Sequence, residues 1–82
     1  MSDPDPCHAA RVVLDVTGDP DFRGYAGDWS RMLCQLAFKC DRGNRARLAM
    51  AFPEMVGTVD LYERNGPEFI RDMATYDLPD PA

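Results

Sequence analysis

The sequence predicts an all-α domain, a compact bundle of four or five short helices. Three observations predict it. Apolar residues recur at helical spacing, most regularly at Trp29, Met32, Leu33, Leu36, Ala37 and Cys40, which fall at i, i+3, i+4, i+7, i+8 and i+11. Prolines stand where helices begin, at Pro6, Pro53 and Pro67, and Gly18 and Gly66 stand where helices end, an arrangement set by the missing proline N–H and by the left-handed freedom of glycine. Only one stretch could be read as a strand, and a lone strand has no partner.

That stretch is the first element. Val12, Leu14 and Val16 alternate as in a strand, whereas Ala9, Val12, Val13 and Val16 form a helical stripe. Asp5 as cap, Pro6 at the first turn and Gly18 as stop favour a helix over 9–17. If it is a strand instead, it must pair with another chain. Residues 18–28 carry three Asp, three Gly and a Pro and read as a turn-rich connector, which Phe22 and Tyr25 are expected to anchor to the core.

The second helix runs from about Asp28, its expected N-cap, to Cys40. Its inward stripe is the Trp29–Cys40 set. Phe38, with Cys34 nearby, lies on the opposite side, so this helix has two apolar faces. It is either the central helix of the bundle or uses its second face on a partner. Asp41-Arg42-Gly43-Asn44 forms a turn with two possible caps. A short helix then reaches Phe52 and buries Leu48 and Phe52. Pro53 bends the chain and opens the next helix, with Glu54 near its positive end. The inward stripe there is Met55, Val56, Val59 and Tyr62, with Leu61 on the far side. Gly57 is either a close-packing contact or a cost of about 1 kcal/mol. Asn65-Gly66 ends that helix. Pro67 starts a last one, with Phe69, Ile70, Met73 and Tyr76 facing inward. The 82 residues make one domain, 1–82, with frayed tails at about 1–4 and 78–82.

Charge is unevenly placed. The net charge is −5, but residues 1–28 carry −4, residues 29–52 carry +4 and residues 53–82 carry −5. The simplest expectation is that the acidic flanks neutralise the basic middle within the fold. The sharper one is a basic patch of Lys39, Arg42, Arg45 and Arg47 that meets an acidic partner or a phosphate. The overall acidity disfavours broad contact with nucleic acid. No basic-then-apolar leader opens the chain and no apolar run approaches the roughly 20 residues needed to span a bilayer. With three cysteines and no such leader, reduced thiols in a cytoplasm are expected.

Supported catalytic chemistry is missing from the residue pattern. The one histidine, His8, adjoins Cys7 in sequence, and helix neighbours do not face each other. There is no phosphate loop and no nucleophile elbow. Cys7, His8, Cys34 and Cys40 could in principle hold zinc, but Cys34 and Cys40 lie six apart on one helix, about 120° apart around it. The expectation is no enzyme, no metal and no cofactor, with Cys40 a core filler and Cys34 a semi-exposed thiol. Phe38 and Leu61, each on the far side of an otherwise regular helix, are then the candidate partner-binding residues, with Cys34 beside them. They are either covered by a third layer, residues 9–16, or form an exposed patch for a homodimer or another protein.

The segment Asp41-Arg42-Gly43-Asn44-Arg45-Ala46-Arg47-Leu48-Ala49-Met50-Ala51-Phe52-Pro53-Glu54-Met55-Val56 resembles a recurring pattern in small accessory proteins of actinobacterial phages and prophages, written D-x-x-N-R-x-R-L-x-x-x-F-P-E-x-V. The Trp29–Cys40 helix and the Asn65-Gly66-Pro67 turn are compatible with it, and the similarity spans about residues 25–75. It carries no catalytic residues over. It implies a non-enzymatic interaction protein that binds and modulates a host protein in the bacterial cytoplasm. The alternative is a small DNA-binding regulator using Arg42, Arg45 and Arg47; it weakens if Arg45 and Arg47 are tied to Asp60, Glu63 or other acids.

Overall fold

A computed structural model describes residues 6–75. The chain is an all-α bundle of five helices: α1 Pro6–Thr17, α2 Asp28–Lys39, α3 Arg42–Ala51, α4 Pro53–Asn65 and α5 Pro67–Thr75, with a single 3-10 turn at Pro20–Phe22 between α1 and α2. The N-terminal segment is thus helical, as its end signals predict. The proposed Asp5 cap lies outside the described residues, as do Tyr76 and both tails. At its other end α1 closes in a Schellman motif: Gly18 has φ 95°, its N–H donates to the Asp15 carbonyl at 3.2 Å and that of Asp19 donates to the Leu14 carbonyl at 2.9 Å.

The central helix is α1, not α2. Ala9, Ala10, Val12, Val13, Leu14 and Asp15 are all buried, because α1 packs on α5, α4 and α2 at once. A helix touched on three sides needs apolar residues on three sides, which is why this segment matches strand and helix periods alike. The remaining core comes from Leu33, Cys34 and Ala37 of α2, Met55, Val56 and Val59 of α4, and Ile70 and Ala74 of α5.

Several turns follow the local rules. Asp41 rather than Asn44 caps α3, its carboxylate accepting from the Asn44 N–H at 2.8 Å. Pro53 begins α4, and Gly66 ends it at φ 87°, donating to the Tyr62 carbonyl at 2.8 Å. For α2 the N-cap is Gly27, and Asp28 is the first helical residue instead.

The main departure concerns the face of α2. Trp29 and Met32, both 65% exposed, and Leu36, 52% exposed, point to solvent. Leu33, Cys34 and Ala37 point inward and Phe38 is packed against the core. The helix is therefore rolled by about a quarter turn from the orientation its most regular stripe predicts. Arg31, on the same flank as Cys34 and Phe38, pairs in this orientation with Asp15 of α1 at 2.7 Å. Smaller departures have the same character. Phe69 and Tyr25 are exposed, not core; Tyr25 instead covers the start of α1, its hydroxyl 2.8 Å from His8 Nδ1 and its ring under the Arg11 guanidinium. Leu48 and Phe52 are only half-buried, because α3 packs mainly on α4.

Candidate functional site

Two charged side chains position the elements around the surface in question. Asp15 is one. Its side chain is 2% exposed, and its carboxylate accepts from the N–H groups of Gly24 at 2.9 Å and Ala26 at 2.8 Å as well as from Arg31. Burial alone would push this carboxyl up. The Ala26 and Gly24 N–H groups and the Arg31 guanidinium outweigh it and hold the group below its ordinary value of 3.8. One carboxylate thus fixes both the connector and the roll of α2. The connector is fastened at a second place by Arg71 of α5, which pairs with Asp19 and, at 2.8 Å, with Asp21.

The other is Arg45. Its Nε donates to the Ala37 carbonyl at 2.9 Å and a terminal nitrogen to the Phe38 carbonyl at 3.3 Å, so it satisfies carbonyls at the C-terminus of α2, where a cation is favoured. The same guanidinium pairs with Asp60, at 2.9 Å, and Glu63 of α4. The bond to Glu63 leads the effects that raise it above the usual arginine range. Arg45 is a tie between α2, α3 and α4, not a free cation.

The basic patch expected from sequence is therefore divided. Arg45 is spent inside the fold, as is Arg31 of the same stretch. Lys39, Arg42 and Arg47 are exposed and make no salt bridge among the described residues.

The expected partner-binding residues are placed differently from expectation. Cys34 is fully buried, and burial pushes its thiol up to about 12; it is a core residue and not a semi-exposed thiol. Phe38 is half-buried and meets the Tyr62 ring edge-on at 5.8 Å. Leu61 is half-buried and packed against the core. Phe38 and Leu61 thus pack partly against the core, and Cys34 lies within it.

The exposed apolar surface lies on the other face of α2. Trp29, Met32 and Leu36 line one wall of an open groove, and Leu48 and Phe52 line the other. Trp29 and Phe52 meet edge-on at 5.9 Å and close one end. A second hollow, lined by Arg47 and Asn44, shares Leu36 and Leu48 with the first and extends the groove towards the α2–α3 junction. No residue of α3 is buried, and Leu48 and Ala51 of this helix line the groove and its extension. The sequence carries this signal in its regular stripe, which periodicity alone assigns to the core and the structure turns outward at Trp29, Met32 and Leu36.

The larger hollow between α3 and α4 is lined by charged groups such as Arg45, Asp60 and Glu63, which already pair with one another. No cluster of three or more His, Cys, Asp or Glu side chains suited to a metal ion occurs among the described residues. No helix among them is long and apolar enough to cross a membrane. No family model, curated protein or solved structure compared with the chain matches it.

Proposed function

We propose that this chain is a non-enzymatic protein-interaction module that docks another protein on the α2–α3 groove. The observation that supports the reading is the exposure of Trp29, Met32 and Leu36 together on one helix face, beside a helix with no buried residue. A small domain has little apolar surface to spare, and a contiguous apolar patch of this kind marks an interaction site. The resemblance of residues 41–56 to phage accessory proteins supports a role in binding and modulating a host protein in the bacterial cytoplasm. The DNA-regulator alternative draws less support, since Arg45, the middle of its three arginines, is tied to Asp60 and Glu63.

The test is capture from a bacterial host lysate with the wild type and a Met32→Asp, Leu36→Asp double variant. Both positions are exposed, so the variant is expected to give the same circular dichroism spectrum. The expected result is a partner retained by the wild type and lost from the variant. Identical captures from two equally folded proteins would remove this face from consideration.

A further inference from the structure

We infer that the occupant of the groove is an acidic amphipathic helix, seated with its acidic end over the α2–α3 junction; this rests on the docking reading of the same face. The groove suits a helix in form. Trp29, Met32 and Leu36 stand at i, i+3 and i+7 along α2, two turns or about 10 Å of wall, and Leu48 and Phe52 line the groove opposite them, with Phe52 touching α2 at the Trp29 end. Helix-in-groove docking reads anchors at this spacing.

Charge selects the occupant. Five bases lie in residues 29–52. Asp15 neutralises Arg31, and Asp60 with Glu63 neutralises Arg45. Of the remaining three, Lys39 lines the groove beside Leu36 and Arg47 lines its extension, whereas Arg42, at the start of α3, lines the hollow between α3 and α4. Asp41 at that junction is engaged as the α3 cap. The opposite end carries Asp28. An apolar stripe followed by carboxylates therefore matches the groove from Trp29 to Arg47. A second copy matches it less well: pairing this face with itself brings Lys39 and Arg47 from each copy to a face whose acids are Asp28 and the capping Asp41.

The sole tryptophan, Trp29, sits in the groove and reports occupancy without a label. The probes are two tryptophan-free synthetic helices of about 14 residues, a length matched to α2 at 1.5 Å per residue, with leucines at i, i+3, i+4 and i+7. One carries Glu at its remaining positions and C-terminal end, the other Lys. The acidic peptide is expected to give a saturable blue shift of Trp29 emission that weakens with added salt. Lys39→Glu with Arg47→Glu is expected to lower its affinity about tenfold, the yield of two rim charges reversed. The Lys peptide should bind more weakly than the Glu peptide. Equal or tighter binding of the Lys peptide, or no shift with the Glu peptide at millimolar concentration, would overturn the inference. So would a wild-type molar mass of twice 9.2 kDa that Met32→Asp halves, which would make a second copy the occupant, or a shift caused by anionic vesicles and not by peptide. If lysate capture still depends on Met32 and Leu36 while the acidic peptide fails, the docking reading stands and only the partner's chemistry is wrong; if both fail, the face itself is wrong.

Discussion

Asp15 shows how much a single buried charge decides. It accepts two backbone N–H bonds and one from Arg31, and replacing it with Ala leaves these donors unmatched. Asp15→Ala is expected to destabilise the domain by about 3 kcal/mol, read by urea unfolding at neutral pH. The pH dependence has a definite sign. The folded carboxyl titrates below its ordinary value of 3.8, so the folded state binds this proton less tightly than the unfolded chain. The stability Asp15 confers is complete above the unfolded value and is lost as pH falls through the folded one. Wild type should lose stability below about pH 4 more steeply than Asp15→Asn, and an equal slope for the two would contradict the assignment. Cys34 behaves oppositely: burial withholds its thiolate. Iodoacetamide should alkylate Cys40, which is half-buried, well ahead of Cys34 in the native protein, as peptide mass mapping would show. Early labelling of Cys34 would mean that α2 leaves the core readily.

At the scale of elements, α3 is the loosest helix and Arg45 is its main polar attachment. The ion pairs with Asp60 and Glu63 are partly solvated and contribute little by themselves. The bonds to the Ala37 and Phe38 carbonyls lie in a more enclosed place. Arg45→Ala should therefore cost about 2 kcal/mol, with Arg45→Lys recovering only part because a point charge cannot serve two helices at once; thermal melts of both variants would check this. In α4, Gly57 has open space where a Cβ would stand, so it is not a packing contact but a plain cost. Gly57→Ala should stabilise by about 1 kcal/mol and raise Tm by several degrees. A lower Tm would mean that the glycine has a role in the unfolded or bound chain.

For the whole molecule, the unusual quantity is how much apolar surface stays outside. Met50, at 87% exposed, adds to Trp29, Met32 and Leu36. Since these side chains are already solvated, Met32→Glu should leave folding stability within about 0.5 kcal/mol of wild type while reducing uptake of a dye that fluoresces on apolar surfaces. A large loss of stability would show that the groove closes on itself in solution. The charge pattern follows the same division. The acidic flanks neutralise Arg31 and Arg45 and tie Arg71 to the connector, whereas Lys39, Arg42 and Arg47 keep their charge for the exterior.

The sequence by itself determined the fold class, an all-α bundle of four or five short helices, and most of the helix ends. Those depend on signals that act within a few residues: a proline that cannot donate, a glycine that turns left-handed, an aspartate three residues before an unsatisfied N–H. Neutralisation of the basic middle by the acidic flanks was legible as a tendency, but not which arginine is tied: Arg45 pairs with Asp60 and Glu63, while Arg47 makes no salt bridge among the described residues. Only the tertiary structure decided which face of α2 is core. Two apolar stripes share that helix, and periodicity counts them without ranking them. The inward face is the one that packs Leu33, Cys34 and Ala37 into the core and brings Arg31 to Asp15, sixteen residues away. The regular stripe Trp29, Met32 and Leu36 is the exposed wall of a groove, whereas Cys34 is core and Phe38 and Leu61 pack against the core.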